Sequence, residues 1–228
     1  MTPQIIYKDK NFLAVNKPAG LLVHPAQSKT EPTLADLLVK RYPEIKKVGD
    51  EPKIRPGIVH RLDKDTSGVI LIPRNQDYFN YLKKLFQERK IKKTYLALVW
   101  GKLKPKIGII KKQISLKTGT TKRTVWKGGL TKEAVTEYKV LKYFKFPRES
   151  VFTLLRVSPK TGRTHQIRVH LASIGHPIVG DSLYGPKGNP FNLSRQFLHA
   201  ESLEFNTADG KRIKIEADLP RELRDLKF

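Results

Sequence analysis

Nine residues, His60-Arg61-Leu62-Asp63-Lys64-Asp65-Thr66-Ser67-Gly68, hold two carboxylates, two cations, an imidazole and two hydroxyls directly before the apolar run Val69 to Pro73. So dense a polar cluster ahead of a buried strand is where chemistry is expected. An ionised carboxylate there could attack an electrophile, stabilise a cation or move a proton. If the loop is extended, Asp63 and Asp65 point the same way and could share a metal; in a tight turn only one need face a substrate. Asp65, Thr66 and Ser67 are types that cap a turn before a strand, a role that Asp63 fits less easily.

The second cluster, Thr161-Gly162-Arg163-Thr164-His165-Gln166-Ile167-Arg168-Val169-His170, sets His165 and His170 five residues apart. A zinc-binding helical pair takes a spacing of roughly three or four with a further ligand nearby, so no metal is expected. The chain has no cysteine, which removes thiolate nucleophiles, disulfides and Cys-ligated metals and fits a cytosolic protein. A hydrolytic triad lacks an elbow serine. His165, His170, His176 and His199 read as hydrogen-bonded structural or RNA-contacting residues. Arg163 and Arg168 are more informative. On a shared helix they stand about 140° apart, so one could face a carboxylate and the other phosphates, and the sequence leaves open which.

The elements that must position these residues follow from local signals. Ile5 to Tyr7 and Phe12 to Val15 flank a polar turn and predict a hairpin, followed by the Pro/Gly-rich segment NKPAGLLVHPA. Thr33 with Asp36 predicts the start of a helix over Leu34 to Arg41, stopped by Pro43; Asn75 caps a second helix with Phe79, Leu82 and Phe86 on one stripe. From Lys93 the pattern turns to strands: TYLALVW, then Ile107 to Ile110, Val125, Tyr138 to Phe146 and Phe152 to Val157. A third helix is expected over His165 to Ile174, with Gly175 at its exit. Phe197 to Phe205 and Arg212 to Ala217 flank an Asp209-Gly210 turn, and Pro220 opens a short last helix. The pattern is α+β, and at 228 residues one unit spanning 1–228 is expected.

Charge points to the partner. The chain carries 45 Lys and Arg against 21 Asp and Glu, a formal +24, with 39% hydrophobic residues. Enough apolar mass for a core excludes a disordered basic tail. The cationic excess suits a polyanion, nucleic acid above all. Arg89 to Lys132 holds fourteen Lys or Arg and no acid, interleaved with strand-forming residues, as a phosphate-tracking surface requires. No run approaches a spanning helix and the start lacks a signal peptide's apolar stretch, so no membrane role is expected.

HRLDKDTSG closely resembles the signature of the RluA-type pseudouridine synthases, which isomerise uridine within folded RNA. NKPAGLLVHP, KTYLALVWG, GRTHQIRVH, GHPIVGDSLYG and RQFLHA resemble further family blocks in the family's order, covering Asn16 to Ala200. The resemblance implies the pseudouridine synthase α+β fold: a long mixed, mostly antiparallel sheet flanked by helices, with the active cleft near its middle. It makes Asp63 the catalytic carboxylate, Tyr95 the aromatic that stacks on the target base, and Arg168 the ion-pair partner of Asp63, with Arg163 its rival for that role and otherwise a substrate contact. Arg61 contacts the flipped nucleotide or fills the space it leaves. Leu198 forms part of the apolar floor beneath the base, and His60 and Thr66 join the substrate-binding set. Many such enzymes carry an N-terminal S4 domain; about fifteen residues before NKPAG are too few for one, so none is expected here. Pro73 stands where the family suggests a small residue.

The reaction so implied breaks the N1–C1′ bond, rotates the uracil and rejoins it through C5, without redox change or hydrolysis, so no cofactor is expected. A uracil in structured RNA must first be flipped out, at a cost of a few kcal/mol; stacking on Tyr95 returns about 1–3 kcal/mol. Asp63 could attack C1′, stabilise a cationic sugar, or add to C6. The expected partner is ribosomal or transfer RNA and the expected state a monomer. The readings from other classes are a non-catalytic RNA-binding or ribosome-assembly factor, and, far behind, a metal-dependent nuclease using Asp63 and Asp65.

Overall fold

The Asp9 carboxylate closes the first hairpin by accepting from the Asn11 and Phe12 amides at 2.7 and 2.8 Å, a side chain imitating a backbone turn. It joins β1 (Gln4–Lys8) to β2 (Phe12–Lys17), which pair antiparallel. The computed structural model describes residues 3–25, 31–116, 122–125, 130–145 and 150–226. Helix α1 (Leu34–Arg41) opens on the expected box: Thr33 Oγ1 accepts from the Asp36 amide and the Asp36 carboxylate accepts from the Thr33 amide. Pro43 ends it by starting a 3₁₀ turn, Pro43–Lys47. Strand β3 (Ser67–Pro73) runs antiparallel to β2, and Pro73 lies opposite Phe12 at its last position, where its missing amide costs least. Asn75 caps α2 (Gln76–Gln87) through the Tyr78 amide at 2.8 Å.

Next come β4 (Lys92–Trp100), β5 (Ile107–Lys111), the two-residue strands β6 (Ser115–Leu116) and β7 (Arg123–Thr124), β8 (Val135–Lys145) and β9 (Val151–Pro159). Helix α3 (Gln166–Ala172) precedes β10 (Leu198–Asn206), β11 (Arg212–Glu216) and α4 (Arg221–Arg224). Lys117, Lys127 and Phe146, which belong to the expected basic run and strand, lie outside the described residues. Antiparallel ladders with few helices make this an α+β protein, as expected.

The chain forms two compact units, Met1–Lys92 with Ala200–Asp218, and Lys93–His199 with Leu219–Phe228. In the first, β2 and β3 are buried on both faces, which accounts for the continuous run VILI. One face carries Phe12, Ala14, Val69 and Leu71 against Tyr78, Leu82 and Leu85 of α2; Phe12 stacks on Tyr78 with ring centroids 5.2 Å apart. The buried stripe of α2 is Tyr78, Phe79, Leu82 and Leu85. Phe86, expected on that stripe, is only half-buried, because the stripe drifts toward Leu85. In the second unit the strand order is β4-β9-β8-β5, all antiparallel. Its core joins Ala97, Leu98 and Val99 to Phe152, Leu155, Ile167, Leu171 and Leu198.

Candidate active site

Asp63 stands at the head of a turn in the first unit: its carbonyl accepts from the Thr66 amide at 3.1 Å, with Lys64 and Asp65 between. Thr66 and Ser67 are buried and lead into β3, whereas Asp63 is half-buried. Two features fix this turn. Lys17, at the end of β2, is fully buried and its Nζ donates to the carbonyls of Pro18 (2.8 Å), Leu21 (2.9 Å) and Lys64 (2.9 Å). One ammonium thus ties the NKPAG segment to the residue after Asp63. Gly68 is the second: its φ is +118°, and a Cβ there would stand inside the backbone of Ala200 in β10, so only glycine lets the two strands approach.

His60 and Arg61 are already engaged. His60 Nε2 accepts from the Leu71 amide at 2.8 Å, and its ring lies 4.5 Å from that of Phe86, which commits the imidazole to β3 and α2. Arg61 Nη1 donates to His24 Nε2 at 3.1 Å. A guanidinium only donates, so the His24 proton sits on Nδ1, which donates to Pro25 O at 3.0 Å. Burial, with the Arg61 charge beside it, pushes the His24 pKa below the ordinary histidine value. Arg61 itself is exposed.

In the second unit Tyr95 is half-buried in β4, opposite Val157 of β9, and packs on the core cluster to which Leu198 belongs. The segment Thr161 to His170 is anchored by Gln166: its Oε1 accepts from Thr161 Oγ1 (2.7 Å) and the Arg163 amide (3.0 Å), and its Nε2 donates to Val135 O and Thr136 Oγ1, both at 3.0 Å. His165 precedes α3 in the left-handed region, φ 55°, a conformation retained only where surroundings enforce it. Because α3 starts at Gln166, Arg163 lies outside the helix, and the 140° relation expected for a shared helix does not apply. Arg163 Nε donates to Glu133 O at 3.1 Å.

Arg168 points into the unit and is buried. Its Nε and Nη2 donate to the two carboxylate oxygens of Asp181 at 2.7 and 2.8 Å. Asp181 Oδ1 also accepts from the Leu183 and Tyr184 amides, at 3.0 and 3.1 Å. The guanidinium lies 5.2 Å from the Tyr184 ring centroid, and the Tyr184 hydroxyl meets His165 Nδ1 at 3.0 Å. Among the described residues no group of three or more His, Asp or Glu is arranged to hold a metal ion.

Sequence reasoning assigned no role to Lys17, Gln166, Asp181 or Tyr184, although all four lie in the blocks NKPAGLLVHP, GRTHQIRVH and GHPIVGDSLYG. The available signal was a charged or amide residue amid apolar neighbours, which is kept only where its polar groups are satisfied.

Residues 11–173 match the sequence profile described as RNA pseudouridylate synthase. The chain belongs to the RNA pseudouridylate synthase family. The matched stretch includes the Asp63 turn, Tyr95, Arg163 and Arg168 and ends before Asp181. Among curated relatives of this family, ribosomal large subunit pseudouridine synthase D of Borreliella burgdorferi is 36% identical over 217 residues, 95% of this chain and 65% of that protein. An uncharacterized RNA pseudouridine synthase of Aquifex aeolicus is 45% identical over 185 residues, 81% of this chain and 57% of that protein. The chain therefore spans 57–65% of the length of these relatives. The solved structure of human RNA pseudouridylate synthase domain containing 1 superposes with a TM-score of 0.77 at 27% identity, covering 97% of this chain and 86% of that one.

Proposed function

We propose that the chain is an RNA pseudouridine synthase whose reacting group is the Asp63 carboxylate. The observation that carries this reading is the doubly pinned Asp63 turn, held by the Lys17 ammonium at Lys64 and by the Gly68 approach to Ala200, in a chain of this family. A carboxylate that is half-buried on a fixed turn is both reachable and oriented, as attack on a nucleoside requires. The target uridine leaves its stack to meet it.

The bond changes balance within the nucleotide. The N1–C1′ bond breaks, the C5–C1′ bond forms, N1 gains a proton and C5 loses one. The isomerisation therefore consumes neither oxidant nor water. Asp63 supplies negative charge to the sugar or the base as the glycosidic bond breaks. Tyr95 and Arg168 take the roles of the family resemblance, base stacking and electrostatic support of the ionised carboxylate; Arg61, Arg163, Leu198, His60 and Thr66 line the nucleotide's surroundings or brace them. The +24 formal charge supports a structured RNA substrate, and the Borreliella relative's name makes large-subunit ribosomal RNA the first candidate, ahead of transfer RNA. A cytosolic site of action follows from that substrate.

The test is tritium release from RNA labelled at uracil C5, with ribosomal and transfer RNA offered separately and Asp63→Asn beside wild type. Release by wild type alone is expected. No release from either RNA, with tight binding kept by both proteins, would overturn the enzymatic reading in favour of an assembly factor.

A further inference from the structure

Lys102, Lys104 and Lys106 recur at every second residue along the connection from β4 to β5, and with Pro105 and Tyr143 they line an open cleft of about 700 Å³ in the second unit. All three lysines are exposed. Their backbone is not loose. Leu103, between the first two, is fully buried, and its amide donates to Thr153 Oγ1 at 3.1 Å. The Thr153 hydroxyl in turn donates to Gly101 O at 2.6 Å. The Tyr143 hydroxyl donates to Leu103 O at 3.0 Å, which fixes the ring as one wall, with Lys102 Nζ 5.6 Å from its centroid.

The lysines of this cleft differ from those that are paired with acids elsewhere in the chain. Lys64, Lys83, Lys90, Lys92, Lys160 and Lys214 each lie within 4.0 Å of a carboxylate. Among the described residues no carboxylate stands that close to Lys102, Lys104 or Lys106, and the sequence from Arg89 to Lys132 contains none. Three ammonium groups are thus held on one anchored strip without compensation. Such a strip repels itself in the free protein and gains when a polyanion displaces its counterions. Lysine meets phosphate as a point charge and reads no base.

We infer that this cleft binds the phosphodiester backbone of the RNA outside the target nucleotide. The inference rests on the part of the proposal above that makes RNA the partner. It assigns Lys102, Lys104 and Lys106 to sequence-independent affinity and leaves the chemical step to other residues.

The test measures binding of a fluorescent ribosomal RNA fragment across a salt series, for wild type, for Lys102→Gln/Lys104→Gln/Lys106→Gln, and for the control Lys83→Gln/Lys90→Gln/Lys214→Gln, which removes the same formal charge from paired lysines. The cleft variant is expected to lose about two units of the slope of log Kd against log salt, at roughly 0.7–0.9 for each phosphate contact, while the control loses less than one. In tritium release its KM should rise and its kcat at saturating RNA stay at the wild-type value. Equal slopes and affinities for the two variants would overturn the inference. So would loss of binding to phosphatidylserine vesicles with the RNA slope unchanged. If wild type releases no tritium yet the slopes differ as expected, the proposed isomerase falls and the cleft stands.

Discussion

Arg168 and Asp181 form a bidentate pair whose side chains are 6% and 0% exposed. Asp181 grips the guanidinium along its Nε–Nη2 edge, and two backbone amides fix the grip. On the function proposed above, Asp181 is a positioning residue for the arginine that supports the ionised carboxylate. Asp181→Asn should cost about 3–5 kcal/mol in urea unfolding, since it removes one partner of a buried ion pair. It should also lower kcat, by as much as about 10²-fold if the guanidinium moves by an ångström, with KM much less affected. Asp181→Glu should recover part of kcat; equal loss in both variants would reduce the pair to a purely structural one.

Lys17→Met should orphan the carbonyls of Pro18, Leu21 and Lys64. At about 1 kcal/mol for each part-buried hydrogen bond lost, the loss is about 3 kcal/mol. Tritium release should fall further than the folded fraction does, because the Asp63 turn loses its tether. Urea midpoints and activity on the same sample separate the two effects.

Gly68→Ala should destabilise by at least about 2 kcal/mol, from the left-handed-side φ and the clash with Ala200. Gly210→Ala, where φ is +84° but nothing lies within 4 Å of the added carbon, should cost about 1 kcal/mol. Thermal unfolding of the two variants compares strain alone with strain plus clash.

His170 is fully buried, its Nε2 donating to Lys112 O at 3.0 Å and its Nδ1 accepting from Thr136 Oγ1 at 2.9 Å. Burial holds its pKa below the ordinary value. Near and below pH ~6.5 the unfolded chain therefore takes up a proton before the native state does. This group's contribution to stability should be complete above that pH and decline as pH falls toward the lowered native value. His170→Asn should flatten the fall in melting temperature between pH 7 and 5; an unchanged fall would assign it elsewhere, His24 being another histidine shifted the same way.

Much of this molecule is legible residue by residue. The Thr33–Asp36 box, the Asn75 cap, the Asp9 turn and the Asp209-Gly210 corner all act across two to four positions, so their residue types alone predict where elements begin and end. The Asp63 turn, the candidate for chemistry, was equally visible, because a dense run of reactive residue types can be read directly. Its bracing was not. Lys17 reaches Lys64 across 47 positions, Arg168 reaches Asp181 across 13, and His170 reaches Lys112 across 58. The chain alone specified which groups could react and where its helices and strands start. Packing decided which buried charges meet, because a buried ammonium, guanidinium or imidazole takes whichever partner the folded backbone brings within about 3 Å, and that choice is made between segments distant in sequence.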